Sequence, residues 1–286
     1  MHKIIRKKEL NPTIILMQVE APHIVRNAKP GQFIVIHTDE TAERIPLTIC
    51  DKDDTKKTIT IIFQKLGTST NRLGLLSEGD SVKDILGPLG HPTPIKNYGK
   101  AICIGGGVGV AEIYPVAKAL KEAGNEVVSI IGSRSKDLLI LEEELKSASS
   151  KVLVATDDGS HGHKGFVTDL LEKELSAGGC SMVFCVGPVL MMKKSCDTAK
   201  GFNTPIRVSL GSNMVDATGM CGTCRVNVGG KTYFACVDGP EFDGTLVDYD
   251  ELLSRDKRFV SEEKLSFEAF KKGHKCKCGN RTRKTE

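Results

Sequence analysis

The sequence predicts a β + α/β chain in three parts: an antiparallel barrel over residues 1–98, a parallel-sheet α/β domain over 99–204, and a small C-terminal lobe with its tail over 205–286. Three observations carry this expectation. Short β-branched or alternating runs recur up to about residue 98, with turn signals between them. From Lys100 onward strands alternate with helical segments, the pattern of a parallel sheet. From about Thr204 periodicity fades and Gly and Cys accumulate.

In the first part the runs Thr13 to Val19, Phe33 to His37, Ile45 to Cys50, Thr58 to Gln64 and Asp80 to Leu86 read as strands. Pro30-Gly31, the charged stretch 51–57, Glu78-Gly79 and Gly87-Pro-Leu-Gly90 punctuate them. In the second part Lys100 to Ile104 is an apolar strand that ends in Gly105-Gly-Gly-Val-Gly109, and Val110 to Ala123 follows as a helix. Strands at Glu126 to Ile131, Lys151 to Ala155 and Met182 to Val186 alternate with helices at Leu141 to Ala148 and Asp169 to Ser176.

Composition narrows the class. The chain has 286 residues, a net charge of +4 and 5% aromatic residues, so neither a strong basic field nor a stacking surface for nucleic acid is present. No segment approaches the ~20 apolar residues that a membrane helix requires. The N-terminal run Met-His-Lys-Ile-Ile-Arg-Lys-Lys has no apolar stretch of the signal-peptide kind, which predicts a cytoplasmic protein. Of the ten cysteines, Cys50, Cys103, Cys180 and Cys185 lie in or beside apolar runs, where free buried thiols are common. Reduced cysteines are therefore expected.

The strand–glycine turn–helix at 100–123 has the outline of a dinucleotide site. Gly105, Gly106, Gly107 and Gly109 allow a pyrophosphate to approach the backbone, and the helix N-terminus offers N–H donors. The spacing is not G-x-G-x-x-G, since Val110 occupies the third glycine position, and Gly132-Ser-Arg134 replaces the acidic residue at the end of the second strand. A tight turn alone would need fewer than four glycines in five residues. Ser133, Arg134 and Lys136 suit either a ribose 2′-phosphate, hence NADP, or a plain solvated edge. Thr156-Asp157-Asp158-Gly159-Ser160 and the turn at Gly187-Pro188 stand at strand ends, where ligands bind in open sheets. The aspartates could shape a nicotinamide pocket; the bland alternative is a polar loop.

Two further motifs fall in the barrel. Arg44-Ile-Pro46-Leu47-Thr48 starts a strand after a polar loop; an arginine there can pair with a diphosphate, and the threonine hydroxyl could reach a ring nitrogen. Gly67-Thr68-Ser69-Thr70 opens a short helical segment and is either a phosphate cradle or an ordinary N-cap. Taken together and placed before a dinucleotide domain, they predict a flavin.

The C-terminal lobe carries Asp216, Cys221, Cys224 and Cys236 in the spacing D-x4-C-x2-C-x11-C. Plant-type [2Fe–2S] proteins use C-x4-C-x2-C…C, so an aspartate stands where the first cysteine belongs. Three thiolates plus one further ligand could instead hold a structural zinc in a scaffold module. Against zinc, only one C-x2-C knuckle is present. Cys276-Lys-Cys278 is too tight a pair to identify a site.

In this order, Arg-Ile-Pro-Leu-Thr, Gly-Pro-Leu-Gly, Gly-Gly-Gly-Val-Gly, Thr-Asp-Asp-Gly-Ser and Cys-Val-Asp-Gly-Pro-Glu-Phe resemble the ferredoxin–NADP reductase superfamily over nearly the whole chain. Within it the chain is similar to electron-transfer subunits with a C-terminal [2Fe–2S] lobe. Two groups compete: electron-transfer subunits of NAD-dependent dihydroorotate dehydrogenase, which carry four cysteines on the cluster, and small subunits of NADH-dependent reduced ferredoxin:NADP⁺ oxidoreductases, in which aspartate replaces the first. Asp216 favours the second group. The resemblance implies FAD on Arg44, Pro46, Leu47 and Thr48, with Thr48 as the candidate catalytic residue and Gly67 to Ser69 at the diphosphate. It also implies NAD(H) on Gly105 to Gly109, with NADP(H) left open by Arg134. The cluster would sit on Asp216, Cys221, Cys224 and Cys236. The implied partner is a larger subunit with flavin and [4Fe–4S] clusters, with ferredoxin reached through the complex. In the superfamily the arginine precedes its Ser/Thr by three residues, whereas Arg44 precedes Thr48 by four.

Overall fold

The computed structural model describes residues 1–277, with side chains to residue 273. The chain opens with β1 (His2–Glu9), β2 (Ile14–Glu20), α1 (Pro22–Asn27), β3 (Phe33–His37), β4 (Arg44–Thr48), β5 (Asp51–Asp53), β6 (Thr58–Gln64), α2 (Thr68–Gly74), β7 (Ser81–Val82) and β8 (Asp84–Leu89). These strands form two antiparallel sheets, β5-β6-β2-β1-β7 and β4-β3-β8. Their alternating apolar residues, among them Ile15, Met17, Val19, Ile34, Ile36, Ile59, Ile61 and Phe63, meet in one core. Sequence reading passes over β1 because its run is mostly charged and buries only Ile4.

The strand expected over Ile45 to Cys50 is cut at Thr48, because the chain there leaves one sheet for the other. Ile49 N–H donates to the Gln32 carbonyl at 3.2 Å and Cys50 N–H to the Thr60 carbonyl at 2.9 Å. The switch leaves Thr48 at a strand end, facing the second part of the molecule.

That part is built from β9 (Lys100–Gly106), α3 (Val110–Glu122), β10 (Glu126–Ser133), α4 (Glu142–Ala148), β11 (Lys151–Thr156), β12 (His163–Lys164), α5 (Val167–Ser176), β13 (Cys180–Val186), α6 (Val189–Gly201) and β14 (Ile206–Ser209). The lobe adds the hairpin β15 (Arg225–Val228) and β16 (Lys231–Phe234), then β17 (Glu241–Asp243), α7 (Tyr249–Asp256) and α8 (Val260–Lys277). One sheet runs β12-β11-β10-β9-β13-β14-β17, parallel except for β17. It thus takes two strands from beyond residue 204. Four residues with weak alternation gave β14 little signal in the sequence, and α7 and α8 lie where little regular structure was expected.

Helix α3 buries Val110, Ile113, Val116, Ala117 and Leu120, an i, i+3, i+4 stripe, on one face of the sheet. That core also takes Ile14, Cys50 and Ile62 from the barrel. The opposite face packs α5 and α6 together with Val226, Val228 and Phe242 of the lobe and Phe33 and Val35 of the barrel. All three parts therefore share apolar cores, which fixes their sites relative to one another.

Candidate cofactor-binding sites

Strand β9 has β10 on one side and β13 on the other, so the strand order reverses at its carboxyl end. Ligands in open α/β sheets bind at that point. A cavity of about 640 Å³ lies there, lined by Gly106, Gly107, Arg134, Asp157, Pro188 and Lys194 among others, with Gln64 entering from the barrel. The glycines do two jobs. A Cβ on Gly109 would stand 2.6 Å from the Val186 carbonyl oxygen, and Gly105, Gly106 and Gly187 are similarly crowded, so these residues lock the turn against β13, α3 and α6. Gly107 differs. Its φ of +57° favours glycine, and a Cβ there would meet nothing within 4 Å. It borders the open space of the cavity. Helix α3 has no side-chain cap and continues the tight turn Gly107–Gly109, whose Gly107 carbonyl accepts the Val110 N–H, so an anion here would meet the N-terminal end of that turn.

Arg134 and Asp157 belong together. The Ser133 carbonyl accepts from Asp157 N–H and the Arg134 carbonyl from Asp158 N–H, each at 3.2 Å. Asp157 therefore sits at the β10–β11 edge, where it lines the cavity with Gly106, Gly107 and Arg134. The Asp158 carboxylate closes its own turn, accepting the Ser160 N–H at 2.9 Å and the Ser160 hydroxyl at 2.6 Å. Those bonds hold its pKa below the ordinary value.

In the barrel, Arg44 is exposed at the start of β4, and its side chain makes no hydrogen bond or ion pair with the described residues. Its neighbour Glu43 accepts from the Ser69 hydroxyl at 3.0 Å, which brings the β4 entrance beside the 67–70 turn. The turn is partly self-capped: Thr70 Oγ1 accepts from Leu66 N–H at 3.0 Å and Gly67 N–H at 3.3 Å. The capping reading and the cradle reading thus share these residues. A Cβ on Gly67 would meet nothing within 4 Å. Thr68 Oγ1 lies 3.0 Å from Ser266 Oγ, so α8 reaches back from the lobe to this turn. Pro46 and Leu47 are half-buried between these groups, opposite Val35 and Ile34 of β3.

Thr48 has a partner that sequence reading missed. Its hydroxyl donates to the Glu112 carboxylate on α3 at 3.0 Å. Burial raises the Glu112 pKa, with Ser209 and Thr48 hydroxyls opposing it and the neighbouring Glu241 carboxyl adding to it. The signal was available: an acidic residue in the first turn after a glycine-rich anion loop opposes the expected ligand. Lys194 and Gln64 were also missed, because they reach the cavity from elements without a motif.

The lobe gathers its four candidate ligands in two pairs. Hairpin β15–β16 turns at Gly229-Gly230 and pairs Arg225 with Phe234, so Cys224 and Cys236 flank its open end. Their sulfurs are 3.2 Å apart and both residues are buried. Asp216 and Cys221 lie on the preceding loop, with Cys221 Sγ 3.2 Å from Asp216 Oδ1 and Cys221 N–H donating to Oδ2 at 3.1 Å. Among the described residues no three acidic, Cys or His groups converge on a single ion position. A two-plus-two arrangement suits two irons better than one tetrahedral zinc. The loop wraps through positive φ at Ala217, Gly219 and Gly222. Hydrogen bonds from Thr223 lower the Cys221 pKa, whereas burial beside Cys224 pushes Cys236 up to about 12. The Cys276-Lys-Cys278 pair falls outside the residues whose side chains are described. The eight described cysteines are free.

A flavin cradle on a barrel, a nucleotide cavity on a parallel sheet and a thiolate-rich lobe define a class: flavin-dependent nicotinamide oxidoreductases with a built-in iron–sulfur relay. Sequence comparison agrees. Residues 212–248 match the iron–sulfur cluster binding domain of dihydroorotate dehydrogenase B, and 103–197 match the oxidoreductase NAD-binding domain. A Thermotoga maritima homolog of the dihydroorotate dehydrogenase B (NAD⁺) electron transfer subunit is 46% identical over 95% of this chain and 96% of its own. The Geobacillus thermodenitrificans electron transfer subunit is 36% identical over 75% of this chain and 84% of its own. A solved chain from a study of flavin-based electron bifurcation by NADH-dependent reduced ferredoxin-NADP oxidoreductase superposes with a TM-score of 0.90. It is 44% identical and the match covers 94% of this chain and 98% of that one. The chain belongs to the family of dihydroorotate dehydrogenase B electron transfer subunits and their homologs. It is an oxidoreductase subunit whose cofactors are FAD, an iron–sulfur cluster and NAD(H). Among the described residues no helix is long and apolar enough to cross a membrane.

Proposed function

We propose that this chain is the NADH-facing subunit of an electron-bifurcating NADH-dependent ferredoxin:NADP⁺ oxidoreductase, and that its cluster is a [2Fe–2S] centre on Asp216, Cys221, Cys224 and Cys236. The observation that carries this reading is Asp216. It stands at the first ligand position with its carboxylate beside Cys221, where the dihydroorotate dehydrogenase pattern has cysteine. The 0.90 superposition on the bifurcating enzyme's chain supports the same choice.

The residues divide the work. Gly107 and the uncapped start of α3 receive the NAD(H) pyrophosphate. Arg134 and Asp157 hold the adenosine end; a carboxylate there opposes a 2′-phosphate and so favours NAD(H). Gly187, at the end of β13, keeps that strand end close enough for the nicotinamide to lie against the barrel. Arg44 and the 67–69 turn hold the FAD diphosphate, and Thr48 faces the reactive ring. FAD, when bound, accepts hydride and releases electrons singly. The lobe then passes them outward to a larger subunit with its own flavin and [4Fe–4S] clusters, through which ferredoxin is reached. Exposed Met220 and Val215 beside the cluster loop give that partner an apolar contact.

The test is an anaerobic visible titration of the reconstituted chain with NADH and, separately, NADPH. NADH bleaching of flavin and then of cluster bands is the expected result. A colourless preparation after reconstitution, or reduction by NADPH alone, overturns it. Asp216→Cys should shift the cluster potential and spectrum; an unchanged spectrum removes Asp216 from the ligand set.

A further inference from the structure

We propose that Arg255 and Arg225 form a cationic clasp on the cluster loop, and that its charge sets the cluster potential by favouring the reduced, more negative form. The proposal rests on the reading of a [2Fe–2S] centre on Asp216, Cys221, Cys224 and Cys236.

Gly222 and Thr223 separate the ligand positions Cys221 and Cys224, and a guanidinium takes the carbonyl of each. Arg255 Nη2 donates to the Thr223 carbonyl at 3.0 Å, and Arg225 Nη1 to the Gly222 carbonyl at 3.5 Å. Arg225 follows Cys224 directly and opens β15. Arg255 is distant in sequence and is carried on the last turn of α7. That helix is firmly seated. Asp248 caps its first turn, accepting the Glu251 N–H at 2.9 Å, and the Asp248 N–H donates to the Asn227 carbonyl of β15 at 2.9 Å. Tyr249 and Leu252 are buried in the core that also takes Cys224 and Cys236. Arg255 stands three residues beyond Leu252, on the same helix face, so burying Leu252 delivers the guanidinium to the loop.

Protein carboxylates do not neutralise this clasp. Among the described residues Arg225, Arg255 and the neighbouring Arg258 form no ion pair. Arg255 is half-buried, and desolvation together with the charges of Arg225 and Arg258 lowers its pKa, against the pull of Glu251 and the Cys224 thiol. Three like charges gathered around a partly desolvated one oppose folding unless a negative group belongs beside them. The donor set supplies that group. Two ferric ions, two sulfides, three thiolates and one carboxylate sum to two negative charges. One electron from the reduced flavin converts one ferric ion to ferrous and makes the sum three, with no proton moved and no bond exchanged. A fixed cation attracts the more negative state more strongly, so it favours reduction. Net charge and hydrogen bonding are the levers on iron–sulfur potentials, and the clasp acts on both. Hydrogen bonds from Thr223 reach the Cys221 sulfur, while the carbonyl of the same residue is held by Arg255.

A redox titration of the reconstituted holoprotein, followed by the paramagnetic resonance signal of the reduced cluster, reads the midpoint potential without turnover. Arg255→Gln removes the charge and keeps an N–H for the Thr223 carbonyl; the potential is expected to fall. Arg255→Lys keeps the charge and should stay close to the native value. Arg258→Gln, whose side chain is exposed and bonds nothing in the loop, should shift the potential less than Arg255→Gln. An unchanged potential in Arg255→Gln overturns the proposal. Equal falls in Arg255→Gln and Arg255→Lys overturn it too, since loop shape and not charge would then control the cluster. So does a fall in Arg258→Gln as large as that in Arg255→Gln, which would mean a diffuse surface field. If Arg255→Gln binds no iron, Arg225→Gln decides: a lowered potential is expected, and the native value overturns the clasp. Iron and acid-labile sulfide in the native chain are measured first. Their absence after reconstitution overturns the cluster reading itself, before any variant is compared.

Discussion

The nucleotide cleft and the cluster lobe solve opposite problems. The cleft is set by backbone. Strand ends, an uncapped helix and glycines crowded against β13 hold its shape without help from a ligand. The lobe is set by side chains on a loop that wanders through positive φ at Ala217, Gly219 and Gly222. Its candidate ligands contact one another in pairs, each at 3.2 Å. A preformed cleft can exchange NAD(H) rapidly, while a lobe organised by its metals holds the cluster as part of its fold.

The sharpest way to break this contrast is Cys236→Ser or Cys224→Ser. Both should eliminate iron and acid-labile sulfide and expose the 212–238 segment to protease. NADH should still bleach the flavin, because no residue of that segment lines the nucleotide cavity, even though Cys224 and Cys236 share a core with Phe33 and Val35 of the barrel. Loss of flavin reduction as well would show that the two regions fold as one metal-dependent unit.

Within the cleft, Gly109→Ala and Gly107→Ala separate packing from ligand space. The Gly109 methyl would stand 2.6 Å from the Val186 carbonyl oxygen. Overpacking of this kind costs about 1–3 kcal/mol, read as a lower denaturation midpoint. Gly107→Ala meets no neighbour, so its stability loss is limited to the left-handed φ, about 1–2 kcal/mol. Its larger effect should be on NADH affinity, measured by titration. Arg134→Ala should raise the KM for NADH by about tenfold, the loss expected of one charge-assisted hydrogen bond. NADH should remain the better substrate, because Asp157 still disfavours a 2′-phosphate.

Sequence reading is most direct where chemistry is written in spacing. The glycines at 105–109, the C-x2-C knuckle and the Pro-Leu-Thr run each carry a local pattern that survives without tertiary information. It failed where position depends on chain segments meeting across the fold. Glu112 becomes meaningful only when the end of β4 and the end of β14 arrive beside it. The Asp158 carboxylate bonds Ser160 in its own turn, since a short Asp-x-Ser spacing serves loops as readily as ligands. β14 and β17 escaped notice because short strands at a sheet edge gain their stability from a partner and leave little periodic signal of their own.

The smallest expected effect compares two carboxyls, one in each region. Asp216 is half-buried, and hydrogen bonds from Cys221 and Thr218 lower its pKa. Glu112 is half-buried, and desolvation raises its pKa from 4.5. The two should therefore act on stability with opposite sign. A raised folded-state pKa means that the unfolded chain ionises first as pH rises, so Glu112 contributes no penalty below 4.5 and an increasing one above it. Glu112→Gln should raise the melting temperature of the holoprotein at neutral pH, and the gain should shrink to nothing as pH falls toward 4.5. A gain that is independent of pH would trace to packing of the amide rather than to charge. A loss at neutral pH would mean that the carboxylate is held by groups stronger than the two hydroxyls and the cleft tolerates its charge. Either result would remove the cost that sets the cleft's carboxyl apart from the lobe's.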